Sequence, residues 1–344
     1  MRVGIPRALL YYQYYPMWKT FLEALGASVV VSDPTTKDTL AVGSKRVVAE
    51  TCLPVKVYCG HVLQLVGRVD YVLTPAVRSL EPKVLNCSKF LGLPDLVRAV
   101  LPEAPMLLDP EIDLDRKSSE DKERHTRVSA QISVRARLGL YRALYQVGSH
   151  FTHDARRIRA AAKCAWQVHQ EYLGLMQTGL TPPEAIALWE GCSDHQSDDG
   201  SEGAAYTIAL IGHPYNLYDN HITHNLLAML RRLGARVVSS EMISPEKLRQ
   251  GTLALTGQPY WTYEDEIVGA AGHYLRDEVV DGLIAVGCFG CGPDSTLLDV
   301  VRRAAREAGR PFMNLIIDEH TGEAGLVTRL EAFVDMLDRR RHTA

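Results

Sequence analysis

Seven cysteines are spread over the 344 residues, and three of them stand in turns whose composition suits chemistry. Cys52 lies in Glu50-Thr51-Cys52-Leu53-Pro54, Cys87 in Leu85-Asn86-Cys87-Ser88-Lys89-Phe90, and Cys291 in Gly287-Cys288-Phe289-Gly290-Cys291-Gly292-Pro293-Asp294. An odd number of thiols in a chain with no export signal argues against a disulfide framework. Metal ligation, thiol redox chemistry and core filling remain. Thiolates in Gly- or Pro-bearing turns suit a soft metal, and the free N–H groups at the start of a following helix stabilise their negative charge. The same N–H groups would hydrogen-bond the sulfides of an iron–sulfur cluster and tune its potential.

Three such cysteines leave one iron of a cubane open, to be filled by Cys288, by Cys59, or by water or substrate. An open iron allows substrate chemistry, whereas a fourth thiolate favours plain electron transfer. Two other chemistries fit the same residues. Cys288 and Cys291 form a Cys-x-x-Cys pair at a strand-to-helix junction, which is also the form of a thiol redox site. Four thiolates can also hold a structural zinc in a non-catalytic scaffold. Cys164 lies in an Ala-rich helical pattern and is expected in the core. Cys192 falls in a polar linker.

Among other polar residues, Glu319 and His320 follow the last strand in Asp318-Glu319-His320-Thr321-Gly322-Glu323 and could supply acid–base or supporting groups over a cleft. The plain alternative is capping of the next helix by Asp318 or Thr321. Lys56, His61 and Arg78 could place positive charge beside an anionic cluster, although such side chains are more often solvated or locally paired. No Gly-rich loop ends in Lys-Ser/Thr, and no Gly-x-Gly-x-x-Gly occurs, so nucleotide binding by this chain is not expected.

The elements that must position these cysteines are legible from an internal duplication. Gly4-Ile5-Pro6 opens a helical stretch that runs to Leu25-Gly26-Ala27 and the apolar Val29-Val30-Val31. Gly212-His213-Pro214 opens a stretch of equal length that runs to Leu233-Gly234-Ala235 and Val237-Val238. Strand signals follow at Val69–Leu73 and Val280–Ile284, helices open at Gly92-Leu93-Pro94-Asp95 and Cys291-Gly292-Pro293-Asp294, and closing strands come at Met106–Asp109 and Leu315–Asp318. Short β-branched runs alternating with amphipathic helices predict an α/β fold of two duplicated Rossmann-like lobes with parallel sheets, joined by a helical connector. The boundaries fall at 1–114 for the first lobe, 115–205 for the connector and linker, and 206–344 for the second lobe. The connector is expected to hold a long helix around Tyr141 to Met176 and to pack on one lobe. Ligands of such sheets bind at the carboxyl ends of the strands, so the turns bearing the cysteines should meet there.

A hydrophobic content of 46% can bury a core of ordinary size, and the length allows two domains. The net charge of −3 with interspersed signs offers no basic stripe, so nucleic acid is not expected as a partner. No apolar run is long enough to span a bilayer, and with no export signal a cytoplasmic location is expected.

The segments Gly4-Ile5-Pro6-Arg7, Glu50–Lys56, Gly60-His61-Val62, Cys87–Asp95, Cys291–Ser295 and Asp318–Gly325 resemble the acyl-CoA dehydratase activase-related proteins. Those belong with the 2-hydroxyacyl-CoA dehydratases, benzoyl-CoA reductases and double-cubane cluster proteins. The likeness covers both lobes and is weakest from about residue 110 to 205. It implies a cluster in the cleft held by Cys52, Cys87 and Cys291, a [4Fe-4S] centre or a double-cubane [8Fe-9S] one, with Cys59 and Cys288 as additions to the shared set. It also implies low-potential reduction by a partner ATP-dependent activase carrying its own [4Fe-4S] cluster, work under anaerobic conditions, and a homodimer or a related second subunit. A reductase or dehydratase component acting on a CoA thioester is the enzymatic form of the same expectation.

Overall fold

The structure is a computed structural model and describes residues 1–81, 83–114, 134–192 and 204–343. The charge-rich stretch from Asp115 to Arg127 and residues 193–201 of the linker lie outside the described residues.

The first lobe contains β1 (Arg2–Ile5), α1 (Tyr11–Ala24), β2 (Ser28–Val31), α2 (Lys37–Ser44), α3 (Leu53–Leu65), β3 (Tyr71–Leu73), β4 (Ala76–Ser79), α4 (Ser88–Leu91), α5 (Leu93–Val100), β5 (Met106–Leu108) and β6 (Glu111–Asp113). The connector supplies α6 (Val134–Gly148), α7 (Ala155–Gln177) and α8 (Pro182–Trp189). The second lobe contains β7 (Tyr206–Ile211), α9 (Pro214–Leu217), α10 (Leu226–Arg232), β8 (Ala235–Ser239), α11 (Pro245–Thr256), α12 (Ala270–Tyr274), β9 (Gly282–Cys288), α13 (Gly292–Glu307), β10 (Phe312–Ile317) and α14 (Glu323–Thr343).

Both sheets are parallel and share one order. The first runs β2-β1-β3-β5 and the second β8-β7-β9-β10, so the duplication read in the sequence is a duplication of topology. The central strands are apolar on both faces because helices cover both, as in β9, where every residue from Gly282 to Cys288 is buried. The repeat extends to helix crossings. A Cβ at Gly60 of α3 would stand 2.1 Å from the Thr39 carbonyl of α2, and one at Gly251 of α11 would stand 2.0 Å from the Gly269 carbonyl before α12. Only glycine lets these backbones approach so closely.

Two expectations are modified. The connector helix is two helices rather than one. The side chain of Asp154 accepts hydrogen bonds from the N–H groups of Arg156 and Arg157 and restarts the helix after a break at residues 149–154. α7 then packs along α1, with the buried Tyr172 hydroxyl donating to the Tyr12 carbonyl at 2.6 Å. Secondly, the helix opened by Gly92-Leu93-Pro94-Asp95, with the Cys87 turn ahead of it, does not follow directly on the strand equivalent to β9. That strand ends at Leu73, and β4 intervenes, pairing with β6 in a separate two-stranded parallel sheet.

The crossing glycines generate a stability prediction. Gly60→Ala forces α2 and α3 apart and should cost about 1–3 kcal/mol. Gly174→Ala, inside α7 with nothing within 4 Å of the new carbon, should leave stability unchanged or raise it by about 0.5–1 kcal/mol. Thermal melts of the two variants check the contrast.

Candidate functional site

Three of the cysteines occupy the same local position. Cys52 is the N-cap of α3, Cys87 of α4 and Cys291 of α13, each with extended backbone dihedrals and a proline within the next three residues or at the start of the following helix. The N-cap residue stands where the orphan N–H groups of the first turn converge, and the long helices α3 and α13 add the positive end of their dipoles. Cys288 ends β9, and the turn to Cys291 passes through Gly290 at φ +81. A Cβ there would lie 3.3 Å from the Glu50 carbonyl, so this turn of the second lobe lies against the Cys52 turn of the first.

Cys52, Cys87, Cys288 and Cys291 line one cleft between the lobes, partly open to solvent. Leu9, Val55 and Phe90 form apolar walls, Lys89 supplies a cation, and Asn216 and Asp294 supply polar atoms. The Cys288 thiol donates to Asn216 Oδ1 at 2.9 Å, which leaves the amide nitrogen of Asn216 buried without a partner. Burial pushes the Cys52 thiol up. Burial and the neighbouring Asp294 carboxylate do the same to Cys288 and Cys291. These thiols therefore carry protons at neutral pH, and a metal that takes them as ligands must release those protons.

The donor set fits a thiolate-held cluster: four soft ligands from two lobes, amide and N–H donors for sulfides, and apolar walls that limit water. As the side chains stand, no three His, Cys, Asp or Glu among the described residues converge on a single ion.

The remaining candidates lie elsewhere. Cys59 is fully buried inside α3, with its thiol pushed up to about 12 by burial, and does not line the cleft. Cys164 is exposed on α7, contrary to the expectation of a core position, because the buried face of that helix runs through Ile158, Ala161, Ala165 and His169. Cys192 is exposed. Glu319 reaches back to the first lobe and accepts from Lys56 Nζ at 2.6 Å, and Lys56 also donates to the Ala49 carbonyl at 2.8 Å. Burial is the largest single influence and works against the Glu319 charge, yet the Lys56 hydrogen bond, a backbone hydrogen bond and the Lys56 and His320 charges together hold the carboxyl below its ordinary range. His320 is exposed, and its N–H donates to Asp318 in a turn that Thr321 closes. Arg78 pairs with Asp113 at 3.6 Å.

His61 is fully buried in a hydrogen-bonded chain across the lobes. The Arg7 N–H donates to Ser32 Oγ, whose hydroxyl donates to His61 Nδ1. His61 Nε2–H donates to Thr35, and the Thr35 hydroxyl donates to Asp219 at 2.5 Å. The Asp219 carboxylate accepts only, so these partners select the tautomer. Burial, assisted by the Arg7 charge, lowers His61 to about 4.

Sequence reasoning missed His213 and Glu266 and gave Asp294 no role. His213 is buried between the carboxylates of Glu266 at 2.6 Å and Asp294 at 3.1 Å. Burial opposes a charge on its ring, but the two carboxylates outweigh it and raise the group to about 10. One signal was present: His213 stands where the first lobe repeats the motif with the aliphatic Ile5. Glu266 gave none, since it sits on a π-helical turn, Asp265–Gly269, of the kind that recurs at functional sites.

The fold and this cleft define a two-lobed α/β protein with a cysteine-lined interlobe site. A family model described as a CoA enzyme activase uncharacterised domain (DUF2229) matches residues 2–243, and the chain belongs to that family. Cys52 and Cys87 fall within the matched span, and Cys288 and Cys291 beyond it. No curated protein matches. A solved structure of a point mutant of a Mn-bound periplasmic metal binding protein from Candidatus Liberibacter asiaticus is similar at 11% identity over 98% of this chain and 100% of that one, and its TM-score of 0.26 carries no argument.

The His61 chain makes stability depend on acid. The folded group, at about 4, binds its proton less readily than the ordinary 6.5 of the unfolded chain. Its contribution is therefore full above 6.5 and is lost as pH falls toward 4. The full difference is about 3 kcal/mol. Urea unfolding at about pH 7.5 and pH 4.5 should show His61→Gln losing less stability between the two than the parent protein does.

Proposed function

We propose that this protein is an iron–sulfur component of a CoA-enzyme activase system. Cys52, Cys87 and Cys291 are its core ligands and Cys288 is the fourth thiolate of a [4Fe-4S] cluster. The observation that carries the reading is that four cysteines from both lobes, far apart in sequence, line one cleft. Membership of the activase domain family supports the setting. Such a cluster would supply one-electron chemistry at low potential. The chain's own residues would hold it between helix N-termini, present Asn216 as a hydrogen-bond donor, and exclude bulk water with Leu9, Val55 and Phe90.

Four thiolates within one cleft favour electron transfer over substrate binding at an open iron. The electron donor in this reading is an ATP-dependent activase with its own [4Fe-4S] cluster. Glu319, tied to Lys56, acts here as a bond between the lobes rather than as an acid or base.

Anaerobic purification followed by iron, zinc and sulfide analysis tests the proposal. Brown protein with equal iron and sulfide, bleached by dithionite, is expected. Single Cys→Ser changes at 52, 87 or 291 should remove most of the iron. Cys59→Ser should keep the iron and lose about 1–3 kcal/mol of stability, because it buries a hydroxyl in the core. Colourless protein with stoichiometric zinc, or with no metal, would sink the redox reading in favour of a scaffold or a thiol-exchange site.

A further inference from the structure

Behind the second-lobe wall of the cleft lies a buried row of ionisable groups that the cluster assignment leaves unused. His213 is the N-cap of α9, Glu266 comes from the π-helical turn, and Asp294 lies in the first turn of α13. The two ring nitrogens of His213 face one carboxylate each, Glu266 Oε2 at 2.6 Å and Asp294 Oδ1 at 3.1 Å. A neutral imidazole has one donor and one acceptor, and ionised carboxylates only accept, so with both carboxyl groups ionised the two contacts are satisfied together when the ring carries two protons. Burial pushes the Glu266 carboxyl up, and the hydrogen bond and charge of His213 work against that. Tyr215 stacks on the ring at 5.0 Å, and Gln13 Nε2 donates to the far oxygen of Glu266 at 3.3 Å. Glu241 adds negative charge near Glu266. At the near end Asp294 is 2% exposed and lines the cysteine cleft beside Cys291. A carboxylate kept in such a place is costly unless another charge holds it.

We propose that His213 is a permanent buried cation that positions Asp294 on the cleft wall and offsets its negative charge, so that the row sets how readily the occupant of the cleft is reduced. The effect on reduction rests on the iron–sulfur reading, whereas the charge on His213 and its hold on Asp294 do not. His213 is a positioning residue, since it reaches the cleft only through Asp294. A cation behind the wall favours an added electron and a carboxylate disfavours it. Removing each should therefore shift the potential in opposite directions, which structural damage alone would not do.

The test has two arms. In anaerobically purified, iron-loaded protein, His213→Gln should shift the reduced-to-oxidised ratio at a fixed applied potential about tenfold toward the oxidised form, or 59 mV for a one-electron couple. Asp294→Asn should shift it toward the reduced form, and both variants should keep their iron. Shifts of the same sign, or no shift, would overturn the role in tuning. The same-sign criterion applies to the His213→Gln and Asp294→Asn pair. Where His213→Gln fails to fold, Glu266→Gln is read by itself. It leaves an amide oxygen to accept from the ring, removes the outer negative charge, and should move the potential toward the reduced form, while no shift or a shift toward the oxidised form overturns the role in tuning.

The second arm needs no metal. In protein labelled with 15N-histidine and prepared without iron, His213 should carry protons on both ring nitrogens at about pH 8, well above the ordinary 6.5. One protonated nitrogen at that pH overturns the cation. Protein that binds no iron counts against the cluster reading alone, and the second arm still decides the charge on His213.

Discussion

Two parallel sheets can share one site only if the carboxyl ends of their strands face each other and are kept from moving apart. The buried seam between the lobes meets that constraint with bonds drawn from many parts of the chain. Lys56 of α3 pairs with Glu319 after β10, Thr35 donates to Asp219, and the Tyr12 hydroxyl donates to the Tyr218 carbonyl at 2.8 Å. The backbone N–H of Thr262 donates to the Leu85 carbonyl at 3.0 Å, close to the Cys87 turn. Buried donors and acceptors are costly to leave unmade, so a small slide of one lobe would break several of these bonds at once. The seam is thereby held in one register, and the cysteine turns are held with it.

Charge is distributed along the seam with a consistent logic. On the first-lobe side His61 stays uncharged in its hydroxyl chain, and Lys56 is held by the Ala49 carbonyl and the Glu319 carboxylate. On the second-lobe side the charge is concentrated in the Glu266–His213–Asp294 row behind the cleft. Burial keeps the protons on the Cys52, Cys288 and Cys291 thiols, so these become anionic only when an electrophilic occupant displaces those protons. The helix N-termini at Cys52 and Cys291, together with Lys89, are placed to meet that charge.

The α/β class, the two lobes and their shared strand order were legible because a parallel sheet buried on both faces leaves short β-branched runs, and a duplication repeats them at equal spacing. The N-cap positions of Cys52 and Cys291 were legible for a local reason: a proline two residues on cannot sit deep in a helix and so marks its first turn. The break before α7 was missed because its helical periodicity continues on both sides while Asp154 alone resets the backbone. The detour through β4 was missed because β6, its partner, is only three residues long and pairs with no other strand.

What the sequence determined by itself is therefore the set of elements and which cysteines stand at their starts, since those depend on residues within one turn of each other. The tertiary structure alone decided that Cys59, seven residues after Cys52 on the same helix, is core while Cys288 joins the cleft. It also decided that Glu319 pairs with Lys56, that His320 faces solvent, and that His213 lies between the carboxyl groups of Glu266 and Asp294. Burial, pairing and charge are properties of side chains brought together from distant parts of the chain. Desolvation and Coulomb energies depend on those distances in space, which no local pattern of residues records.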